Sequence, residues 1–168
     1  MKTLLLLVGS VIATLAVTQD PKPDGETQNP LAPISGLIGA FEGKGKGPMG
    51  TYRENLTGEW VADGKLMLLR SKSRIASQTI FEDLRVFVHD AEAGKIRMHQ
   101  FTSGTWTAYD VVASGQSLVM TETHREGMKT DPWRYTYTLS KGGEVRYQLH
   151  TKTGDTQTLF VSGALKKL

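Results

Sequence analysis

The sequence predicts an all-β protein: one antiparallel up-and-down β-barrel of about ten strands, with a short helical turn ahead of the first strand. Three observations carry this. Beyond Gly36, apolar and polar residues alternate with a period of two over most of the chain. Short Gly-, Asp-, Asn- or Pro-bearing segments interrupt that pattern at hairpin spacing, most plainly at Asp63-Gly64, Ala93-Gly94, Ser114-Gly115, Gly142-Gly143 and Gly154-Asp155. The opening stretch, Gly36-Leu37-Ile38-Gly39-Ala40-Phe41-Glu42-Gly43-Lys44-Gly45-Lys46-Gly47, removes side chains from alternate positions and keeps one large apolar body, Phe41. That suits a strongly bent first strand onto which other chain packs closely. Consecutive hairpins make a meander, and closing it removes the two unpaired edges.

The chain begins with Met1-Lys2-Thr3 and an apolar run from Leu4 to Val17. A basic start and a short apolar core have the form of a secretory signal peptide, assigned to 1–18. The alternative is a retained anchor, but a spanning helix needs about 20 apolar residues. Residues 19–35 hold Pro21, Pro23, Pro30 and Pro33 among polar residues and read as a flexible tether. The barrel domain is assigned to 36–168. Leu31, Ile34, Leu37 and Ile38 have near-helical spacing, consistent with one turn that plugs a barrel end. Strands are expected at 40–46, 51–60, 65–75, 79–88, 95–102, 105–112, 117–124, 133–140, 144–152 and 156–166.

Alternation assigns faces in the later strands. Trp133, Tyr135, Tyr137 and Leu139 share an inward parity, as do Val145, Tyr147 and Leu149, and Ile96 and Met98. Arg97, His99, Glu144, Arg146, Gln148 and His150 then point outward. Elsewhere two sets compete: Trp106 with Ala108 against Tyr109 with Val111, Phe160 against Leu159 with Val161, and Leu84, Val86 and Val88 against Phe81 and Phe87. About eight strands enclose little more than their own side chains, so about ten leave a pocket, expected within roughly 300–1,000 Å³. Its candidate lining is Phe41, Met98, Trp106, Trp133, Tyr135, Tyr137, Tyr147 and Phe160, and its expected ligand is a small apolar or aromatic molecule.

Composition narrows the chemistry. With no cysteine among 168 residues there are no disulfides, no thiolate nucleophile and no Cys-based metal site. The net charge is +3, with Lys and Arg scattered along the chain, so no nucleic-acid partner is expected. No membrane partner is expected once the signal is cleaved, and the protein reads as exported, periplasmic or extracellular. Oligomeric state is left open. The phosphate-loop spacing, H-E-x-x-H and G-x-S-x-G are all missing, so no catalytic residue is assigned. Of the four histidines, His124 alone shares a parity with Leu118, Met120 and Glu122. It is either a rim ligand beside Glu122 or a solvated strand end, and one imidazole is an incomplete metal site. Asp110 either meets Arg85 or Arg134 inside or faces solvent. Asn55-Leu56-Thr57 matches a glycosylation sequon in mid-strand, read as chance.

Gly39-Ala40-Phe41-Glu42-Gly43-Lys44-Gly45-Lys46-Gly47 resembles the opening G-x-W-x-G-x-G-x-G of nitrobindin-like haem-binding β-barrels, with Phe41 in the tryptophan's place. It is similar also to the opening of the bacterial DUF1579 family of lipocalin-like (calycin) proteins. The strand Phe81 to Asp90, followed by Gly94-Lys95, is similar to a strand and turn of that second family, and Leu159 to Leu165 resembles the last strand of both. The resemblance implies a closed barrel that encloses a small molecule. From nitrobindins it also implies haem and nitric oxide or peroxynitrite chemistry, but Phe160 stands where their proximal histidine is expected. No cofactor is therefore assigned. A barrel packed solid, serving as an envelope component, and an enzyme with a site at the barrel mouth are the other readings.

Overall fold

The structure, a computed structural model, describes residues 29–127 and 132–168. The expected signal peptide and most of the tether, through residue 28, lie outside the described residues. Proline at the start of Ala32–Leu37 sets up a 3-10 helix. With three residues per turn, Leu31, Ile34 and Leu37 stack on one face, and all three are fully buried. Ile38 leaves that face as the chain turns extended. The last residues of the compositional tether thus belong to the barrel's plug.

Ten strands follow: β1 (Gly39–Gly47), β2 (Gly50–Val61), β3 (Leu66–Ile75), β4 (Gln78–Asp90), β5 (Lys95–Thr102), β6 (Thr105–Ser114), β7 (Ser117–Arg125), β8 (Trp133–Leu139), β9 (Glu144–Thr153) and β10 (Thr156–Lys167). Each pairs antiparallel with its sequence neighbours, and β1 pairs with β10 to close the barrel. The expected meander and its strand count are therefore observed, with boundaries within two residues of expectation. The five expected turn glycines, Gly64, Gly94, Gly115, Gly143 and Gly154, all take positive φ.

The glycines of β1 serve contact more than conformation. A Cβ on Gly43 would overlap the backbone of Ala164 across the β1–β10 seam, and one on Gly45 would overlap the ring of Tyr52 and the hydroxyl of Tyr147. At the plugged end, Leu31, Ile34, Leu37, Phe41, Leu56, Met67, Leu69, Phe87, Met98, Met120 and Leu165 form a continuous core. Phe41 and Met98, expected in the ligand site, belong to this core.

Three β-bulges break the alternation. Ile80 of β4 has no partner between the pairs Ser73 with Phe81 and Arg74 with Thr79. Thr123 of β7 is skipped between Ala108 with His124 and Tyr109 with Glu122. Phe160 of β10 is skipped between Leu159 with His150 and Val161 with Leu149. An extra residue shifts every side chain beyond it to the opposite face. The competing parities resolve accordingly. Tyr109 and Val111 are buried inside, while Trp106 stands on the outer wall between His99 and His124, with ring centroids 6.2 and 4.8 Å away. On β4, Asp83, Arg85 and Phe87 are buried, and Leu84, Val86 and Val88 lie half-buried on the other face.

Candidate functional site

The end of the barrel opposite the helix holds a cavity of about 390 Å³. Its rim is apolar: Pro48 and Met49 come from the β1–β2 turn, Ile80 and Phe81 from the start of β4, Trp133 from β8, and Phe160 and Val161 from β10. Two of the bulges build this rim. By adding a residue they let consecutive side chains, Ile80 with Phe81 and Phe160 with Val161, face the same opening. Trp133 packs edge-on against Phe160 at 5.3 Å and under the Arg125 guanidinium at 5.0 Å. Glu122 holds this corner, accepting from the Trp133 backbone N–H at 2.9 Å and from Arg125.

The floor is polar and almost without access to water. Glu54, Ser71, Ser73, Arg85, Tyr52, Tyr135, Tyr137 and Tyr147 line it, each less than a tenth exposed. One half is organised by Glu54. Ser71 Oγ donates to its Oε1 at 2.8 Å, Tyr147 donates to its Oε2, and the Tyr52 and Tyr147 hydroxyls lie 2.9 Å apart. The other half is organised by Arg85, whose Nε donates to Asp83 Oδ2 at 2.8 Å and whose Nη1 donates to the Tyr137 hydroxyl. Gln100 ties in Asp83 and Tyr135 and accepts from Tyr109 at 2.9 Å. The Arg85 guanidinium also lies over the rings of Tyr135 and Tyr137, at 5.0 and 5.9 Å. Asp83 Oδ1 has no hydrogen-bond partner among the described residues.

Burial sets the protonation of this floor. Desolvation raises the Glu54 carboxyl above its ordinary value despite the hydrogen bonds from Tyr147 and Ser71 and the nearby Arg85 charge. Desolvation raises Tyr52 to about 12 and raises Tyr135, Tyr137 and Tyr147 as well, so the hydroxyls stay protonated. Burial pulls on Arg85 in the direction of losing its proton, but Asp83 and the tyrosines outweigh it and the charge is held. The site is thus an aromatic slot above a fixed array of hydroxyls, one carboxyl and one guanidinium.

Five of the eight expected lining residues are not evenly placed around this slot, but cluster on three adjacent strands: Trp133, Tyr135 and Tyr137 on β8, Tyr147 on β9 and Phe160 on β10. Phe41, Met98 and Trp106 lie elsewhere. Trp106 is outside because β6 presents Thr107, Tyr109 and Val111 inward. Sequence reasoning missed Glu54, Asp83 and Gln100, and named Arg85 only as one possible inner partner of Asp110. Glu54 shares parity with Tyr52 and Leu56, and Asp83 and Arg85 share parity with Phe81 and Phe87, which was the available signal. The bulge at Thr123 separates His124 from Glu122, so His124 is an exposed side chain stacked on Trp106 and no rim ligand. Asp110 faces outward, paired with Lys95 at 2.7 Å.

A haem held as the nitrobindin resemblance implies needs an axial imidazole. None of the four histidines lines the cavity, Phe160 at the expected position offers no ligand atom, and burial disfavours the phenolate form of the lining tyrosines. The residues present do not fit such a haem. No group of three or more metal-ligating side chains occurs among the described residues. Neither the protein-family models nor the curated proteins with which the chain was compared match it. What fold and site define is a class: a closed ten-stranded antiparallel barrel with an interior cavity, compatible with a calycin-like ligand-binding protein.

Proposed function

We propose that the protein is an exported carrier that binds a small apolar or aromatic molecule non-covalently inside the barrel. One observation carries the reading: an unfilled cavity of about 390 Å³ whose rim is aromatic and whose floor is a prearranged set of polar groups. A ligand that loses about 300 Å² of apolar surface there gains roughly 7 kcal/mol, to be set against association costs of comparable size. The preformed floor lowers those costs, because its side chains are already held by one another. A polar substituent on the ligand would meet Arg85, Glu54 and the tyrosine hydroxyls, which fix its orientation. The DUF1579 and lipocalin-like resemblance supports the same reading, and export rests on the apolar segment at 1–18.

The test uses the protein's own fluorescence. Of Trp60, Trp106 and Trp133, only Trp133 lines the cavity. Fluorescent hydrophobic probes are expected to quench tryptophan emission saturably, with the quenching lost in Trp133→Phe and retained in Trp106→Phe. Absence of saturable quenching across a probe panel, or equal quenching in the two variants, would overturn the proposal.

A further inference from the structure

A second concavity, about 260 Å³, lies on the outer wall where β1, β2 and β3 run side by side. Lys44, Thr51, Arg53 and Arg74 line it together with Tyr52, Ile75 and Ala76. The register makes the arrangement specific. Lys44 is directly opposite Arg53, and Arg53 is directly opposite Arg74, so three cations stand in one row across three strands. The row continues into Ala164 on the β10 side and Thr79 on the β4 side, both uncharged. Lys46 stands two residues along β1 on the same face.

Like charges directly opposite on neighbouring strands, with Cβ atoms about 4.5–5.5 Å apart, destabilise a sheet. Among the described residues, Lys44, Arg53 and Arg74 have no ion pair or hydrogen bond from their side chains. The neighbouring row, Glu42, Asn55, Lys72 and Glu82, behaves differently: it carries two carboxylates to one cation, and Lys72 pairs with Glu82 at 3.0 Å. The outer face of the barrel therefore neutralises its cations one row away and leaves this one unmatched, around a recess.

We propose that this recess binds a phosphate-type anion, free or carried on a larger molecule. Two guanidinium forks match the geometry of phosphate oxygens, which a single ammonium does not. Three positive charges also call for more than one negative charge, and a phosphate monoester carries nearly two near neutral pH. The Thr51 hydroxyl, in the same recess, adds a donor. The recess shares Tyr52 with the lining of the interior cavity, but its cations belong to the outer face, and its test is independent of carrier function.

The experiment is a pair of thermal melts of the full chain, in inorganic phosphate and in chloride at matched ionic strength, with Arg53→Gln and Arg74→Gln beside the wild type. A ligand that binds only the folded state raises Tm, here by about 3–5 °C at ten times its dissociation constant. The wild type is expected to show that rise. The variants are expected to melt higher than wild type in chloride, because the repulsion is relieved, and to gain nothing from phosphate. A second arm identifies the source: co-sedimentation with vesicles containing phosphatidic acid, whose headgroup is a phosphate monoester, but not with phosphatidylcholine vesicles, lost in both variants, supports a lipid headgroup even where free phosphate gives no rise. A phosphate rise without vesicle binding supports a soluble phosphate compound. No response in either arm, or the same response in wild type and variants, overturns the proposal.

Discussion

Glu54 is the residue whose chemistry differs most from what its position in the sequence suggests. It occupies an inward position between Tyr52 and Leu56, so folding removes its carboxyl from water and raises its proton affinity. The unfolded group titrates near its ordinary value of 4.5, and the folded group titrates above it. Below that value both states hold the proton. Between the two values the folded state keeps a proton that the unfolded state has released, so stability falls as pH rises through the window and levels off above it. Glu54→Gln has no proton to lose. Relative to wild type it is expected to gain stability as pH is raised from below 4.5 toward neutrality, read from Tm of the two proteins in parallel. A difference that does not change with pH would show that folding leaves the proton affinity of the carboxyl unchanged. Arg85 stands under the opposite constraint: with Asp83 beside it the charge stays, and losing either partner would leave the other buried and unmatched.

At the scale of the element, β1 is shaped by what must pass close to it. Gly45 lies opposite Tyr52 on one side and Gly163 on the other, and the ring of Tyr52 and the hydroxyl of Tyr147 occupy the space where its side chain would be. Gly45→Ala is therefore expected to push both tyrosines away from Glu54, at a cost of about 1–3 kcal/mol in denaturant unfolding. It should also weaken probe binding in the cavity, whereas Gly115→Ala, a strained but open position in the β6–β7 turn and outside the cavity lining, should leave probe binding unchanged. The glycine-rich pattern was legible as a close-packed strand. Which rings came close was not, because Tyr147 reaches Gly45 from β9, across the β1–β10 closure. The bulges were illegible for a related reason. Ile80, Thr123 and Phe160 carry no glycine or proline to mark them, and only pairing with a neighbour reveals the extra residue.

Taken whole, the barrel has two unlike ends. The 3-10 helix and the long apolar side chains fill one, and the cavity occupies the other. Stability and binding should accordingly be separable. Ile34→Ala, at a fully buried site in the plug, is expected to cost about 2–5 kcal/mol in unfolding free energy. Probe affinity at the far end should change by less than about twofold, since sites this distant with no shared partners behave additively. A large loss of affinity in a still folded variant would show that the two ends are coupled. Closure also assembles charge: Lys44, Arg53 and Arg74 are spread over thirty residues of sequence and look scattered there, yet the register sets them in one row.

Architecture was readable from the chain alone because it depends on local signals. A period of two makes strands, a glycine with positive φ marks most of the hairpin turns, and a meander of hairpins closes to satisfy its edges. Inward aromatics on β8 and β9 followed from the same alternation. The site was decided by the third dimension. Buried polar residues look like surface residues until their partners are known, and a bulge changes which face a side chain takes without changing the local pattern. A floor joining Glu54 of β2, Arg85 of β4, Gln100 of β5, Tyr137 of β8 and Tyr147 of β9 exists only once the ends of the sheet have met.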